Sequence, residues 1–415
     1  VAFLAELNDL EIWGTDIGNA YLESYTKEKV VFIAGPEFGE LEGHLFLVVK
    51  ALYGLKSSGR QWHDRLHDVL INMGWKPSKA EEDIWMKDCG DYYEYLAVYV
   101  DDIMIASKDP KAIIDQLEGA PNNFKLKGTG PISYHLGCDF YRDGEGTLCM
   151  APKRYIEKMV ESYKRMFGTM PPTKARSPLE SNDHPELDDS PLLDEDGIRR
   201  YQSLIGTLQW AISLARFDIA TAVMSMSSFR VAPREGHLER LKRICGYLHK
   251  FNNQGCIRVR TDEPDFSSIQ PMKHDWARLV YGNVREEIHE DAPIPKGKRV
   301  VLSSYKDANL YHDLMTGRSV TGVLHYINKT PIDWFSKKQA TVETATYGSE
   351  FTAAKTAIQQ ITALRVTLRY LGVPIHGGTY LFGDNQSVVT SGSVPRRRAA
   401  LRPDVKRMTY VKRPY

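Results

Sequence analysis

The sequence predicts an α+β protein in which an antiparallel sheet with helices on one face is followed by a helical region and then by a smaller α/β domain. Three observations predict it. The stretch Tyr92 to Val100 is aromatic and β-branched, halts at Asp101-Asp102, and resumes as Ile103-Met-Ile-Ala106, so it reads as a hairpin around a tight acidic turn. From Tyr201 to Lys250 apolar residues recur at helical spacing, broken near Pro233. Beyond residue 300, strand signals at Val300 to Tyr305 and Gly322 to Asn328 precede a helix from Gly348 to Leu371, a strand at Thr379 to Phe382, and a helix start at Asn385.

At 415 residues and 42% hydrophobic, the chain is long enough for two or three cores. In residues 1–56, Ile12 to Tyr21 and His44 to Lys50 read as strands, with Gly35-Pro36 and Gly39 as punctuation. Arg60 to Met73 has helical spacing, with Trp62, Leu66, Val69 and Leu70 on one face. Lys174 to Asp196 shifts to Pro, Ser, Asp and Glu, a surface loop. The expected divisions are residues 1–140, 141–256, a polar linker at 257–300, 301–395, and a basic tail at 396–415. The five cysteines are scattered and never form a C-x-x-C pair, which argues against a disulfide framework or zinc ribbon. No apolar stretch approaches the roughly 20 residues needed to span a bilayer. The start, Val-Ala-Phe-Leu-Ala-Glu-Leu, lacks a signal-peptide pattern and reads as a chain cut into mid-domain.

Net charge is only +1, from 54 Lys+Arg against 53 Asp+Glu. The tail carries Arg396, Arg397, Arg398, Arg402, Lys406, Arg407, Lys412 and Arg413 against Asp404, so the rest of the chain is acidic. Any phosphate-binding channel must therefore be local.

The chemistry-bearing residues fall into two acidic constellations. Asp101 and Asp102 lie at the hairpin, and Asp16 follows the apolar run Ile12-Trp-Gly-Thr15. An isolated Asp-Asp pair is ordinarily a polar turn. Carboxylates from neighbouring strands are also what holds two divalent ions about 3.5–4 Å apart for phosphoryl transfer.

Asp16-Ile-Gly-Asn-Ala-Tyr21-Leu resembles the first catalytic motif of reverse transcriptases, and Tyr99-Val-Asp-Asp102 resembles their second. Lys50-Ala-Leu-Tyr-Gly-Leu-Lys56 with Arg60-Gln-Trp62 is similar to a run typical of copia-type retrotransposon elements, and it lies between those motifs. The resemblance implies a polymerase palm with a fingers remnant over 1–140 and a thumb or connection region over 141–256. It implies that Asp16 and Asp101 bind two Mg²⁺ ions, with Mn²⁺ as the alternative and Asp102 as the weaker ligand. Tyr21 would be the aromatic gate against a 2′-hydroxyl, Tyr99 and Lys56 would line the substrate site, and Lys125 or Lys127 would approach the incoming deoxynucleoside triphosphate. Leu136-Gly137 resembles the primer-grip turn. Where such elements have Gln-Ala-Pro, this chain has Ser57-Ser58-Gly59, which weakens the carry-over to Gly54 and Lys56.

Tyr201-Gln-Ser-Leu-Ile-Gly206 and Arg216-Phe-Asp-Ile219 resemble the connection region of the same elements, with Phe217 for the usual proline. Asp307-Ala-Asn309, Gly317 to Gly322, Trp334-Phe-Ser-Lys-Lys-Gln339, Ser349-Glu350-Phe351 and Gly383-Asp384-Asn-Gln386 follow the order of a copia-type ribonuclease H. The resemblance implies an α/β ribonuclease H-like domain. Asp307 would end one strand, Glu350 would project from a helix, and Asp384 would end another strand, again around two metal ions. Glu343 is the competing acid for the helix position. The run from Pro395 through Asp404 departs from the family and reads like a frameshifted translation, an accidental basic tail, with Asp404 only the disfavoured substitute for a missing fourth ligand.

The partners implied are an RNA template, a DNA primer, an RNA–DNA hybrid and deoxynucleoside triphosphates. No membrane is implied, and a homodimer is compatible. The implied location is a cytoplasmic retroelement particle, with later nuclear access of its products. The alternatives are a decayed, inactive relic that at most binds nucleic acid, and a free-standing nuclease, which leaves the Tyr99–Asp102 hairpin unexplained.

Overall fold

The computed structural model describes residues 1–269, 286–393 and 408–411, and divides into two compact units. The first comprises Val1–Leu136, Ile294–Lys298 and Tyr370–Gly372; the second holds the remainder. The basic run after Pro395, with Asp404 and the proposed frameshift, lies outside the described residues. Among the described residues no helix is long and apolar enough to cross a membrane.

Unit 1 begins with helix α1 (Ala2–Leu7) and strand β1 (Glu11–Ile17). Strands β2 (Val31–Ile33) and β3 (Leu45–Leu47) form a small antiparallel ribbon, and helix α2 (Ser58–Asn72) follows. Then come β4 (Lys76–Pro77), β5 (Ile84–Asp88), β6 (Tyr93–Tyr99), β7 (Asp102–Ser107), helix α3 (Pro110–Glu118), β8 (Leu126–Pro131) and the short β9 (Tyr134–His135). Six strands form an antiparallel sheet in the order β4-β5-β6-β7-β1-β8.

The predicted helical face of α2 is the buried one: Trp62, Leu66, Val69 and Leu70 pack with Ile113, Ile114 and Leu117 of α3 against Ile17, Leu96, Ile103 and Ile105 of the sheet. Burying each such aliphatic side chain contributes roughly 1.5–3 kcal/mol, so the sheet and its two helices stabilise one another. Helix α3 starts where Asp109 accepts a hydrogen bond from the Ala112 N–H (3.0 Å) and Pro110 takes the first helical position. Two expectations are corrected here. The strand expected over Ile12 to Tyr21 stops at Ile17, because Asn19 turns left-handed (φ 57°) and Tyr21 falls in a 3-10 turn over Ala20–Glu23. The strand expected over His44 to Lys50 shrinks to Leu45–Leu47.

Unit 2 opens with an antiparallel ladder of β10 (Cys138–Arg142), β11 (Leu148–Ala151) and the later β12 (Ile257–Arg258). Helices α4 (Lys153–Phe167), α5 (Glu195–Ser213), α6 (Ala220–Ser227) and α7 (Glu235–Lys250) share one apolar core, centred on Ile156, Tyr201, Leu208, Met226 and Ile244. The expected break near Pro233 is present, and a second falls at Leu214 to Arg216 before a short 3-10 turn, Phe217–Ile219. Arg216 is buried there, its guanidinium forked onto Asp218 at 2.9 and 2.8 Å. That pairing gives the Arg216-Phe-Asp-Ile219 motif a structural role. The loop after α4 is tied to α7 by Arg240, which bonds Asp183 at 2.7 Å and Asp188 at 2.6 Å.

The remainder of unit 2 is a five-stranded sheet in the order β15-β14-β13-β16-β17. Strands β13 (Leu302–Asp313), β14 (Arg318–Ile327) and β15 (Thr330–Lys338) are antiparallel, while β16 (Thr379–Phe382) and β17 (Met408–Val411) continue in parallel. Helix α8 (Thr346–Tyr370) lays Ala354, Ala357, Ile358 and Ile361 against Val323, Leu381 and the Val388-Val389 pair of α9 (Gln386–Ser393). Strand β15 was not anticipated. It is an edge strand carrying Pro331, which removes a ladder donor and is tolerated there. Asp307, expected to end its strand, instead sits inside β13 opposite Gly322.

Candidate active sites

The first site is the tip of the β6–β7 hairpin in unit 1. Register pairs Tyr99 with Asp102, so the two-residue turn is Val100-Asp101 and Asp102 opens β7, one position before the turn expected. Val100 is held at φ 58°, an uncommon conformation for a β-branched residue that costs about 1–3 kcal/mol. Two hydrogen bonds hold it: the Trp62 indole donates to the Val100 carbonyl (2.6 Å), and the Ile17 N–H donates to the Asp101 carbonyl (2.9 Å). The turn is thus fixed by helix α2 on one side and by β1 on the other.

Strand β1 sets Asp16 directly opposite Asp102. All three acids are half-buried. Burial, reinforced by the charges of Asp101 and Asp16, raises the Asp102 carboxyl above the ordinary carboxylate range. On its other edge Asp16 pairs with Lys127, whose stem packs over Gly18, while the Lys125 carbonyl accepts the Gly18 N–H (2.8 Å). Both lysines, Lys56 and Tyr99 are exposed. The half-buried Tyr21 ring packs on Tyr53 with centroids 4.5 Å apart, and its hydroxyl faces Gly59 of the altered Ser57-Ser58-Gly59 run. Leu136 and Gly137 both take positive φ, 49° and 92°.

The second site lies in unit 2. Asp307 of β13, Glu350 in the first turns of α8 and Asp384 just after β16 bring one carboxylate oxygen each within 4.8 Å of one another. Among the described residues they form the one such group, and Asp16, Asp101 and Asp102 do not meet that spacing. Glu343 is not part of it. Asp307 and Asp384 are exposed, whereas Glu350 is only 2% exposed. Burial first, then Asp307 and Asp384, push the Glu350 carboxyl up, against the pull of the Lys306 ammonium that bonds its Oε2. Three hard oxygen donors in this span fit a divalent cation such as Mg²⁺.

A cleft of about 430 Å³ opens beside these acids, lined by Phe217, Tyr305, Trp334 and Phe382 with Thr221 and Ser336. Phe217 and Trp334 lie 5.0 Å apart by ring centroid, and Tyr305 stacks on Phe382 at 4.8 Å. Sequence reasoning missed three residues here. Trp62 was read as a core-facing and motif residue with no role at the turn, Lys306 was not singled out, and Phe217 was read only as a departure from a motif. For the first two, a long-range partner decides the role, and periodicity carries no signal of it.

Residues 1–173 match the family model described as "Reverse transcriptase (RNA-dependent DNA polymerase)". The chain is 26% identical over 375 residues to the retrovirus-related Pol polyprotein from transposon RE1 of Arabidopsis thaliana, covering 89% of this chain and 22% of that one. It is 25% identical over 402 residues to the Pol polyprotein from transposon TNT 1-94 of Nicotiana tabacum, covering 93% and 26%. A putative transposon Ty5-1 protein of Saccharomyces cerevisiae is 24% identical over 353 residues, covering 83% of this chain and all of that protein. The chain therefore spans about a quarter of the length of the two Pol polyproteins it resembles.

Proposed function

We propose, starting from the match of residues 1–173 to the reverse transcriptase family model, that the chain is the polymerase and ribonuclease H part of a copia-type retrotransposon enzyme. The observation that carries the reading is the register of β1 against β7, which sets Asp16 opposite Asp102 at a pinned turn. Two Mg²⁺ or Mn²⁺ ions held by Asp16 and Asp101, with Asp102, would supply charge neutralisation for nucleotidyl transfer. Tyr21, braced by Tyr53, excludes a ribose 2′-hydroxyl sterically. Lys127, and less directly Lys125, offers a cation to the triphosphate from the strand that pairs with Asp16. Lys56 and Tyr99 present exposed side chains toward primer and template.

The second site is read as a hybrid-RNA hydrolase. Three antiparallel strands continued by parallel ones, with acids on β13, after β16 and on the intervening α8, support the ribonuclease H-like reading. Its carboxylates orient the attacking water, and the aromatic cleft offers stacking surfaces to a nucleic-acid strand. Helices α4–α7 would act as thumb or connection. The substrates are an RNA template, a DNA primer, the RNA–DNA hybrid and deoxynucleoside triphosphates, in a cytoplasmic particle.

A second reading, an inactive relic that binds nucleic acid, is favoured by one observation: both oxygens of Glu350 already bond protein donors, Lys306 and the Ala308 N–H. Primer extension on an RNA template with Mg²⁺ or Mn²⁺ separates the two. Labelled deoxynucleotide incorporation above a no-enzyme blank supports the enzyme, and template binding without incorporation supports the relic.

A further inference from the structure

Lys306 immediately precedes Asp307 on β13, and its side chain is fully buried. A buried ammonium needs a counter-charge. It has one in Glu350, whose Oε2 accepts the Lys306 ammonium while Oε1 accepts the Ala308 N–H at 3.3 Å. Both oxygens of the helix-borne acid are therefore engaged by donors from β13. The Lys306 stem passes so close to Gly383, beside Asp384, that any side chain at that position would overlap it. The ammonium thus enters the acid cluster between two of the elements that supply its ligands. An ammonium with three donors neutralises carboxylate oxygens as a bound cation does.

We infer that the Lys306 ammonium occupies one of the two cation positions of this cluster, so that Asp307 and Asp384 hold a single divalent ion. The inference rests on the reading of Asp307, Glu350 and Asp384 as a metal cluster. It assigns Lys306 a role beyond packing: an internal cation that sets the metal count and lowers the cluster's attraction for divalent ions.

The test is an ion count on the full chain, with Asp16→Asn and Asp101→Asn silencing the hairpin site. Free Mn²⁺ is followed by electron paramagnetic resonance during titration of this parent, of Lys306→Gln and Lys306→Met, and of Lys306→Arg. Circular dichroism checks that each is folded. The expected result is one Mn²⁺ in the parent and in Lys306→Arg. Either neutral variant should take two, with the first bound about tenfold tighter. Adding Asp384→Asn to the parent should abolish binding. Two ions in the parent would overturn the inference and leave the cluster reading intact, and the parent count alone decides this if neither neutral variant folds. Weaker binding in a folded neutral variant would also overturn it, because Lys306 would then position Glu350 as a ligand. No ion in the parent or in any folded variant would overturn both readings together.

Discussion

In unit 1 two of the three acids, Asp101 and Asp102, are adjacent in sequence at one pinned turn and the third, Asp16, comes from the strand beside it; in unit 2 the acids come from two strands and a helix, with no two adjacent in the chain. The adjacent Asp101-Asp102 pair is the more recognisable, yet with Asp16 it is not drawn within the span that Asp307, Glu350 and Asp384 reach. The unit 2 set is gathered because each acid is carried by a different element of one packed sheet-and-helix core, with the buried Lys306 paired to Glu350. The hairpin has half-buried acids that repel one another and no cation bonded among them, so close approach is unfavourable until ions arrive. Adjacency in sequence and geometric closure are therefore separate properties. A motif marks where carboxylates are, and tertiary packing decides how near they come.

The largest contrast should appear on deleting the central acid of each cluster. Glu350→Ala strands the buried Lys306 charge and is expected to destabilise the surrounding core by about 3–5 kcal/mol. Asp102→Asn removes a carboxylate whose ionised form is disfavoured by burial and by two like charges. It should shift stability by less than about 1 kcal/mol, in the stabilising direction. Hydrogen exchange read separately at β13 and β7 measures both, and equal losses would erase the contrast.

Next in size is the pin on the turn. Trp62→Phe keeps most of the apolar bulk but loses the hydrogen bond to the Val100 carbonyl, at a cost of about 1 kcal/mol. Exchange should quicken at Val100 to Asp102 while β13 is unaffected, and primer extension should fall without loss of hybrid cleavage.

Acidification should act more strongly on unit 2. Burial lowers His237, His312 and His325 below the usual histidine value of 6.5, and among the described residues of unit 1 only His135 is lowered in the same way. The unfolded chain then takes up protons first, so their contribution to stability is fully present above that value and is lost as pH falls through it toward the lowered ones. Melting between about pH 8 and about pH 5, read by exchange in each unit, should show the steeper decline in unit 2. The smallest effect is expected at the exposed Arg60–Asp64 pair on α2, where Arg60→Ala should change unit 1 stability by at most about 0.5 kcal/mol in urea unfolding.

Much of this was legible in the sequence where periodicity carries the information. The hairpin, helix α2 with its buried face, and strand β16 fall where alternation or helical spacing sets them. Strand β15 was hidden because an edge strand with Pro331 and a half-exposed face lacks clean alternation. The extension of β13 past Asp307 was hidden because the charged Lys306-Asp307 pair reads as a strand end, when its lysine is paid for by a helix acid distant in sequence. The candidate acids themselves were all named from motif order. Their spacing, and the choice of Lys127 as the cross-strand neighbour of Asp16, depend on register and packing that no single segment encodes.

The most direct test of two separate carboxylate sites is a crossed assay of primer extension on an RNA template and cleavage of an RNA–DNA hybrid, on Asp101→Asn and Asp307→Asn. The account predicts that Asp101→Asn loses extension and keeps cleavage, and that Asp307→Asn does the reverse. Undiminished extension by Asp101→Asn, or loss of both activities in either variant while it remains folded, would contradict it.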